Sequence, residues 1–517
     1  MDQQKWDEPK KGYNTLAIRA SWPFLLISEG RQKILFNSSN ITLLFLSAFF
    51  LMIQTSCKKL VEVAPPITQV TGTNVYNTDA TAIAVLTGIY SSMSQGSIYT
   101  GNSSLSLYAG LSADELSLYA GVPSSSVLTY YYKNSLYVNS TSAAGTEFWT
   151  PNYTFIFLCN SAIAGLTAAN GLTPSVQQQL LGESYFMRAF YYFYLVNLYG
   201  DVAMPTTTNY VVNETLPRTP QAAVWQQIIA DLKQAQNLLS TNYLDGTLLN
   251  TTTERVRPTK WAASALLARS YLYTGDFHNA ELQADAVINN VSLYSLDTLN
   301  GVFLKNSTEA IWQLQPVNQG WNTADAQVFI IPPTGLDGVN YQVSLSNSLM
   351  AAFEMGDSRK ANWIDSVTTN GVTYYYPYKY KSAIYGNPVT EYLMLLRLGE
   401  QYLIRAEAEV QLSDLTDGAD DLNVIRSRAN LSPISGTIAA GKSSLLGAIY
   451  HERQVELFTE LGHRWLDLKR TNTVDAVMDA VTPLKANGSA WQSYQQLYPL
   501  PLADILQDKQ LVQNLGY

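Results

Sequence analysis

Charge is what this chain has least of. Asp, Glu, Lys and Arg make up 14% of its 517 residues, against roughly 25% in soluble domains. The net charge is −9 and no basic run of five or more residues occurs. Nucleic-acid affinity comes mainly from clustered Lys and Arg that neutralise phosphates, so no nucleic-acid partner is expected. Cysteine is far scarcer: Cys57 and Cys159 alone cannot build a disulfide framework or a structural zinc site. His278, His451 and His463 are the whole histidine complement. His451 and Glu452 open a metalloprotease-like pattern, but Val455 stands where the second zinc-ligating histidine is required. There is no Gly-x-Ser-x-Gly elbow, phosphate loop or Gly-x-Gly-x-x-Gly fingerprint. The expectation is a non-catalytic chain with no metal and no cofactor.

Aromatic residues, by contrast, abound. With 34 Tyr, 16 Phe and 10 Trp in a chain that is 47% hydrophobic, enough apolar surface is available to offset chain entropy, which excludes disorder. With charge so scarce, Ser, Thr, Asn, Gln and Tyr must cover the surface, a composition suited to an extracellular protein or a neutral polyol ligand. Residues 41–53 (ITLLFLSAFFLMI) form an uncharged run of 13 residues, too short for a bilayer span of about 20. Preceded by Arg31 and Lys33, the run reads as the hydrophobic region of a secretory signal. Gln54-Thr55-Ser56-Cys57 then resembles a bacterial lipoprotein cleavage box, with Gln54 in place of the usual Leu. Cys57 is expected to carry lipid, residues 1–56 to be a signal peptide with an atypical N-terminal extension, and 57–517 to be one domain. Removing 1–56 takes away six basic and four acidic side chains, moving the net charge from −9 to −11. Cys159, inside FIFLCNSAIAGL, reads as a small core residue.

The remainder is mainly helical by periodicity. Asn77, Thr78 and Asp79 form an N-cap cluster before a helix carrying Ile83, Leu86 and Tyr90. Residues 100–147 are rich in Ser, Gly and Tyr with little periodicity, and helices follow near 149–169, 174–199 and 220–240. After Arg257-Pro258, the stripe Trp261, Ala265, Ala268, Leu272 marks a helix ended by Gly275. Asp276 caps the next helix, whose stripe is Ala280, Ala284, Val287. This alanine-lined pair resembles a tetratricopeptide unit. Related stretches carry Arg188 and Arg405; their distances from Arg269, 81 and 136 residues, give no fixed period. A helical scaffold interrupted by insertions is predicted, the largest insert spanning about 291–390. EAIWQLQ, AQVFII and VTYYYPYKYK inside it suggest short strands and long loops. A helix from about 443 to 470 closes the scaffold.

Glu452, Arg453, Glu456, Glu460, Arg464, Asp467 and Arg470 concentrate charge on that last helix, an arrangement suited to holding helices together. Arg188, Arg269 and Arg405 read the same way, with apolar stems packed and heads paired to carboxylates. Asp114-Glu115 and Asp420-Asp421 supply carboxylates, but neighbours on a helix do not face each other, so caps or ion pairs are favoured over glycosidase chemistry. The aromatic surplus cannot all be buried on helical stripes. Tyr130–Tyr132 and Tyr374–Tyr376 are consecutive, and in extended segments adjacent side chains point to opposite faces. Trp321, in VNQGWNTAD, is flanked by turn formers.

CKKLVEVAP (57–65), NVYNTDATAIAVLTGIY (74–90), SADEL (112–116), ESYFMRAFYYFYLVNLYGDVAMP (183–205), RPTKWAASALLARSYLYTGDF (257–277), EQYLIRAEAEV (400–410), DLNVIRSRANL (421–431), HERQVELFTELGHRWLDLKR (451–470), YPLP and QNLGY together resemble the SusD/RagB family of outer-membrane nutrient-binding lipoproteins. The resemblance implies a mainly α fold of four tetratricopeptide-like units against a loop-rich region that holds the ligand site. It also implies a lipid-anchored surface protein that passes oligosaccharides to a SusC-like TonB-dependent transporter. An oligopeptide catcher of the same architecture is the alternative; from other classes, a helical glycosidase or an adaptor remains open. The family places its site between the early loops and the insert, which makes Trp321 the first candidate platform, with Tyr119, Tyr131 and Tyr341 after it.

Overall fold

The computed structural model describes residues 75–95, 98–485, 488 and 490–517; the signal segment, Cys57 and the tether after it lie outside the described residues. Helix α1 (Asp79–Ser94) starts where the Thr78 hydroxyl accepts the Thr81 N–H, and buries Ala82, Leu86, Ile89 and Met93. Eight further helices of 12 residues or more follow among the described residues: α2 (Trp149–Ala168), α3 (Pro174–Tyr199), α4 (Gln221–Leu238), α5 (Lys260–Thr274), α6 (Phe277–Ile288), α7 (Leu398–Gln411), α8 (Leu415–Arg428) and α9 (Lys442–Glu456). Each packs on its successor, giving a continuous array of helices. The α5–α6 junction follows its sequence: Gly275 turns left-handed at φ 75°, Asp276 caps the Asn279 N–H, and Ala265, Ala268, Ala280 and Ala284 are fully buried where the helices approach. Cys159 is a buried free thiol.

Although residues 289–397 intervene, α7 packs on α6. The insert returns to its own origin because its ends pair. Strands β1 (Leu116–Leu118), β2 (Tyr137–Val138), β3 (Ala143–Ala144), β4 (Ala310–Leu314), β5 (Val343–Leu345), β6 (Ile364–Thr369), β7 (Val372–Pro377) and β8 (Leu393–Arg397) form antiparallel pairs β1–β5, β2–β3, β4–β8 and β6–β7. The wholly buried β4–β8 pair closes the neck of the insert. The β1–β5 pair joins the insert to the early loops, setting Leu116 opposite Leu345.

Three expectations need correction. The helix predicted over 443–470 is two, α9 and α10 (His463–Arg470). Between them Thr459, Leu461 and Gly462 take φ values of 54°, 45° and 73°, and a Cβ on Gly462 would sit 2.8 Å from that of Ala109. Close approach to the helix Leu105–Ser112 thus breaks the run. AQVF, the first part of AQVFII, lies on a helix, Ala324–Phe329, because Thr323 caps the Ala326 N–H, and the chain turns extended at Ile330. Tyr130–Tyr132 end another short helix, Val127–Tyr132, so the alternation of an extended segment does not apply there.

The charged residues are buried connectors. Arg188 pairs with Asp231, Arg269 with Glu400 and Arg405 with Asp421, each at 2.6 Å. Arg397 on β8 reaches Glu309 at 2.9 Å, Glu456 at 2.7 Å and Glu460 at 2.7 Å. Arg428 binds Glu309 and Glu456 as well, so the neck of the insert is tied to α8 and α9. Lys379, also held by Glu460, lies 3.9 Å from the Phe458 ring centre. Burial still lowers its pKa to about 8, against the pull of Glu460.

Candidate functional site

A hollow of about 770 Å³ lies between the early loops and the insert. Its walls are the turn 101–103, the helix Ala324–Phe329 with the chain after it, and the segment 376–384 that leaves β7. Local chemistry fixes each wall. The Asp325 carboxylate accepts the Gly101 N–H at 2.9 Å and the Thr100 hydroxyl at 3.2 Å, pinning the first turn to the helix. Burial raises the Asp325 carboxyl to about 6, against those two hydrogen bonds. Asp337 accepts the N–H groups of Val339, Asn340 and Tyr341, which orders the turn that presents Tyr341. Tyr376 is buried with its hydroxyl on Asp365, and Tyr378 meets it edge-on.

Trp321 lines this hollow beside Tyr385, their ring centres 5.4 Å apart and inclined at 60°. Two loops are fastened beneath the pair by Asn322. Its amide donates to the Ser382 hydroxyl and the Pro388 carbonyl, each at 3.0 Å, while its oxygen accepts the N–H groups of Thr390 and Glu391. The Gly386 N–H donates to Gly320, and Tyr385 lies over Gly320 so closely that a Cβ there would fall 2.6 Å from the ring. Tyr385 remains 66% exposed, so the ring pair opens to solvent on a rigid base. Ser103, Asn102, Gln327, Asn340 and Lys381 supply polar groups to the lining. Flat aromatic faces above hydrogen-bonding amides match a ligand with apolar C–H faces and a hydroxyl rim.

Trp321 and Tyr341 thus fall in one cavity. Tyr119 sits just behind it: it packs in the cluster of Ile331, Leu336 and Tyr376, edge-on to Tyr374 at 6.2 Å. Tyr131 does not belong there. It is fully buried, stacked on Tyr108 at 4.4 Å with its hydroxyl donated to Glu147, and its place is the core. Tyr385, Tyr378 and Lys381 were missed by sequence reasoning, although the density of tyrosine in VTYYYPYKYKSAIYG was the available signal. Asp114 and Asp421, from the acid pairs, are engaged by Arg464 and Arg405. Among the described residues, no group of three or more His, Cys, Asp and Glu is placed to hold a metal ion. A second hollow of about 500 Å³ lies against Trp149, Tyr153 and Phe157 of α2, and holds none of the four candidates.

Residues 61–272 match a family model described as "Starch-binding associating with outer membrane", and 338–517 match the model of the SusD family. SusD-like protein P2 of Formosa agariphila is 26% identical over 435 residues, 74% of this chain and 82% of the relative. A SusD superfamily crystal structure from Bacteroides vulgatus superposes with a TM-score of 0.71 at 21% identity, covering 85% of this chain and 99% of that one. A protein described as a laminarin-binding SusD-like protein does so with a TM-score of 0.68 at 22% identity, covering 86% and 100%. The helical array, the insert whose ends pair in β4–β8 and the two matching family models agree, and the chain belongs to the SusD/RagB family.

Proposed function

We propose that this protein is a non-enzymatic, surface-exposed outer-membrane lipoprotein, anchored through Cys57, that captures oligosaccharides and delivers them to a SusC-like TonB-dependent transporter. The observation that carries the reading is the open Trp321–Tyr385 pair on its fastened base, with Tyr341 in the same cavity. The family model's description and the laminarin-binding relative support a glycan as the ligand. Covering about 60 Å² of a sugar's apolar face on one ring contributes roughly 1.5 kcal/mol. Millimolar affinity needs about 4 kcal/mol, so Trp321, Tyr385 and Tyr341 act together with hydrogen bonds from the lining amides.

Titration calorimetry of the mature protein against a panel of oligosaccharides, then of mixed peptides, tests the reading. Saturable binding of at least one glycan class is expected. Binding confined to peptides overturns it in favour of an oligopeptide catcher. Mild detergent extraction of native membranes is expected to copurify a large TonB-dependent barrel, and a barrel-free monomer recovered even under crosslinking removes the transporter from the account.

A further inference from the structure

One lining residue differs in kind from the rest of this cavity. Of the side chains around it, Lys381 alone bears a charge. Its ammonium donates to the Asn300 side-chain oxygen and lies 5.3 Å from the centre of the Tyr378 ring. Among the described residues no carboxylate comes within ion-pair distance of it. The acids nearby are occupied with other donors. Glu391 is buried and accepts the backbone N–H groups of Lys381 and Ser382. Asp325 holds Thr100 and Gly101, and Asp337 holds its own turn. Burial lowers the Lys381 pKa, against the charge of Glu391, which is the mark of an ammonium partly stripped of water.

We propose that the oligosaccharide captured here is anionic, with a carboxylate or sulfate group set against the Lys381 ammonium; the inference rests on the glycan reading above. In a chain of net charge −9, a lone half-buried lysine in the lining of an aromatic cavity offsets a general repulsion of anions at one defined point. A neutral sugar leaves that charge without a counter-ion. An anionic one gives it a charge-assisted hydrogen bond, roughly twice as strong as a neutral one. Lys, a compact charge with three rotatable donors, accommodates a planar carboxylate and a tetrahedral sulfate alike.

Matched probes separate charge from sugar identity: oligogalacturonates with their carboxyl-reduced counterparts, and sulfated galactan oligosaccharides with their desulfated counterparts, beside neutral laminari-, malto- and xylo-oligosaccharides. For the wild-type protein, the charged member of at least one pair is expected to bind about tenfold more tightly than its neutral counterpart, with affinity falling as NaCl is raised to screen it. The pair that shows the effect distinguishes carboxylate from sulfate. Lys381→Gln is expected to bring the two members within about twofold, while Trp321→Ala weakens both. Neutral probes binding as tightly as charged ones, or a charge preference that survives Lys381→Gln, overturns the inference and leaves the glycan reading standing. Failure of every oligosaccharide to bind overturns both.

Discussion

The Arg464 guanidinium meets the Asp114 carboxylate edge to edge, with Nε 2.7 Å from Oδ1 and Nη2 2.8 Å from Oδ2. The pair fastens α10 to the residues that lead into β1, beneath the loop region that walls the cavity. Asp114 is almost wholly buried. Burial pushes its carboxyl up, and the hydrogen bonds and charge of Arg464 more than reverse that, leaving it below the usual range.

Removing one partner of such a pair leaves the other charge uncompensated, at a cost of roughly 3–5 kcal/mol. With unfolding entropy near 2 cal/mol/K per residue, a chain of this size loses roughly 3–5 °C in Tm. Arg464→Ala is therefore expected to melt lower by that amount in calorimetry while binding glycan as before. The wild-type pair contributes stability that is present above the ordinary Asp pKa of about 3.9 and is lost as the pH falls through the depressed folded value. A variant that melts normally and loses ligand would place Arg464 in the site instead.

Asp325 gives the opposite sign. Its folded pKa of about 6 lies above the unfolded value, so the native state binds more protons between about pH 4 and 6 and this group's contribution falls as the pH rises through that window. Asp325→Asn keeps an acceptor for Gly101 and Thr100 and removes the buried charge, so at pH 7 it is expected to melt no lower than wild type and to bind glycan equally. Asp325→Ala releases the 101–103 wall and is expected to weaken binding severalfold. Equal affinity in all three proteins would show that this wall does not shape the site.

Gly320 combines φ 81° with a Tyr385 ring 2.6 Å from where a Cβ would stand. Gly320→Ala must both strain the backbone, at about 1–2 kcal/mol, and push Tyr385 off its base. Calorimetric titration is expected to show affinity falling severalfold with a Tm change of only a few degrees. Unchanged affinity would mean that Tyr385 contributes nothing to capture.

Lipidation of Cys57 is checked by fractionation. Cys57→Ala is expected in the soluble or unprocessed fraction, since stable anchoring needs two or more acyl chains. A processed variant released only by detergent would contradict the anchor.

Local signals were legible in the sequence and non-local ones were not. The α5–α6 turn was readable because Gly275 and Asp276 act within a few residues of themselves, and EAIWQLQ was readable as β4 through the β-branched Ile311 and aromatic Trp312 at its centre. The break at Gly462 depends on Ala109, some 350 residues earlier in the chain, though a glycine just before a charged helix start was a usable hint. The helix that takes in AQVF was announced by Thr323, a capping residue followed by Asp325 in the first turn. The Asn370–Gly371 turn, with φ 52° and 75° at its two residues, was an equally clear hairpin signal for β6–β7. Trp321 was singled out as a candidate by its turn formers and lines the cavity, whereas Tyr131 and Tyr385 could not be sorted by composition. One lies under Tyr108 and the other over Gly320, and burial of that kind is decided by partners distant in sequence.

The central claim is that open aromatic rings on the insert capture a sugar. Titration calorimetry of wild type and Trp321→Ala with the oligosaccharide that binds best, each protein's Tm measured alongside, tests it most directly. About a tenfold loss of affinity is expected, matching the roughly 1.5 kcal/mol assigned to one ring, with Tm nearly unchanged because the ring is partly open to solvent. Undiminished affinity in Trp321→Ala would contradict it.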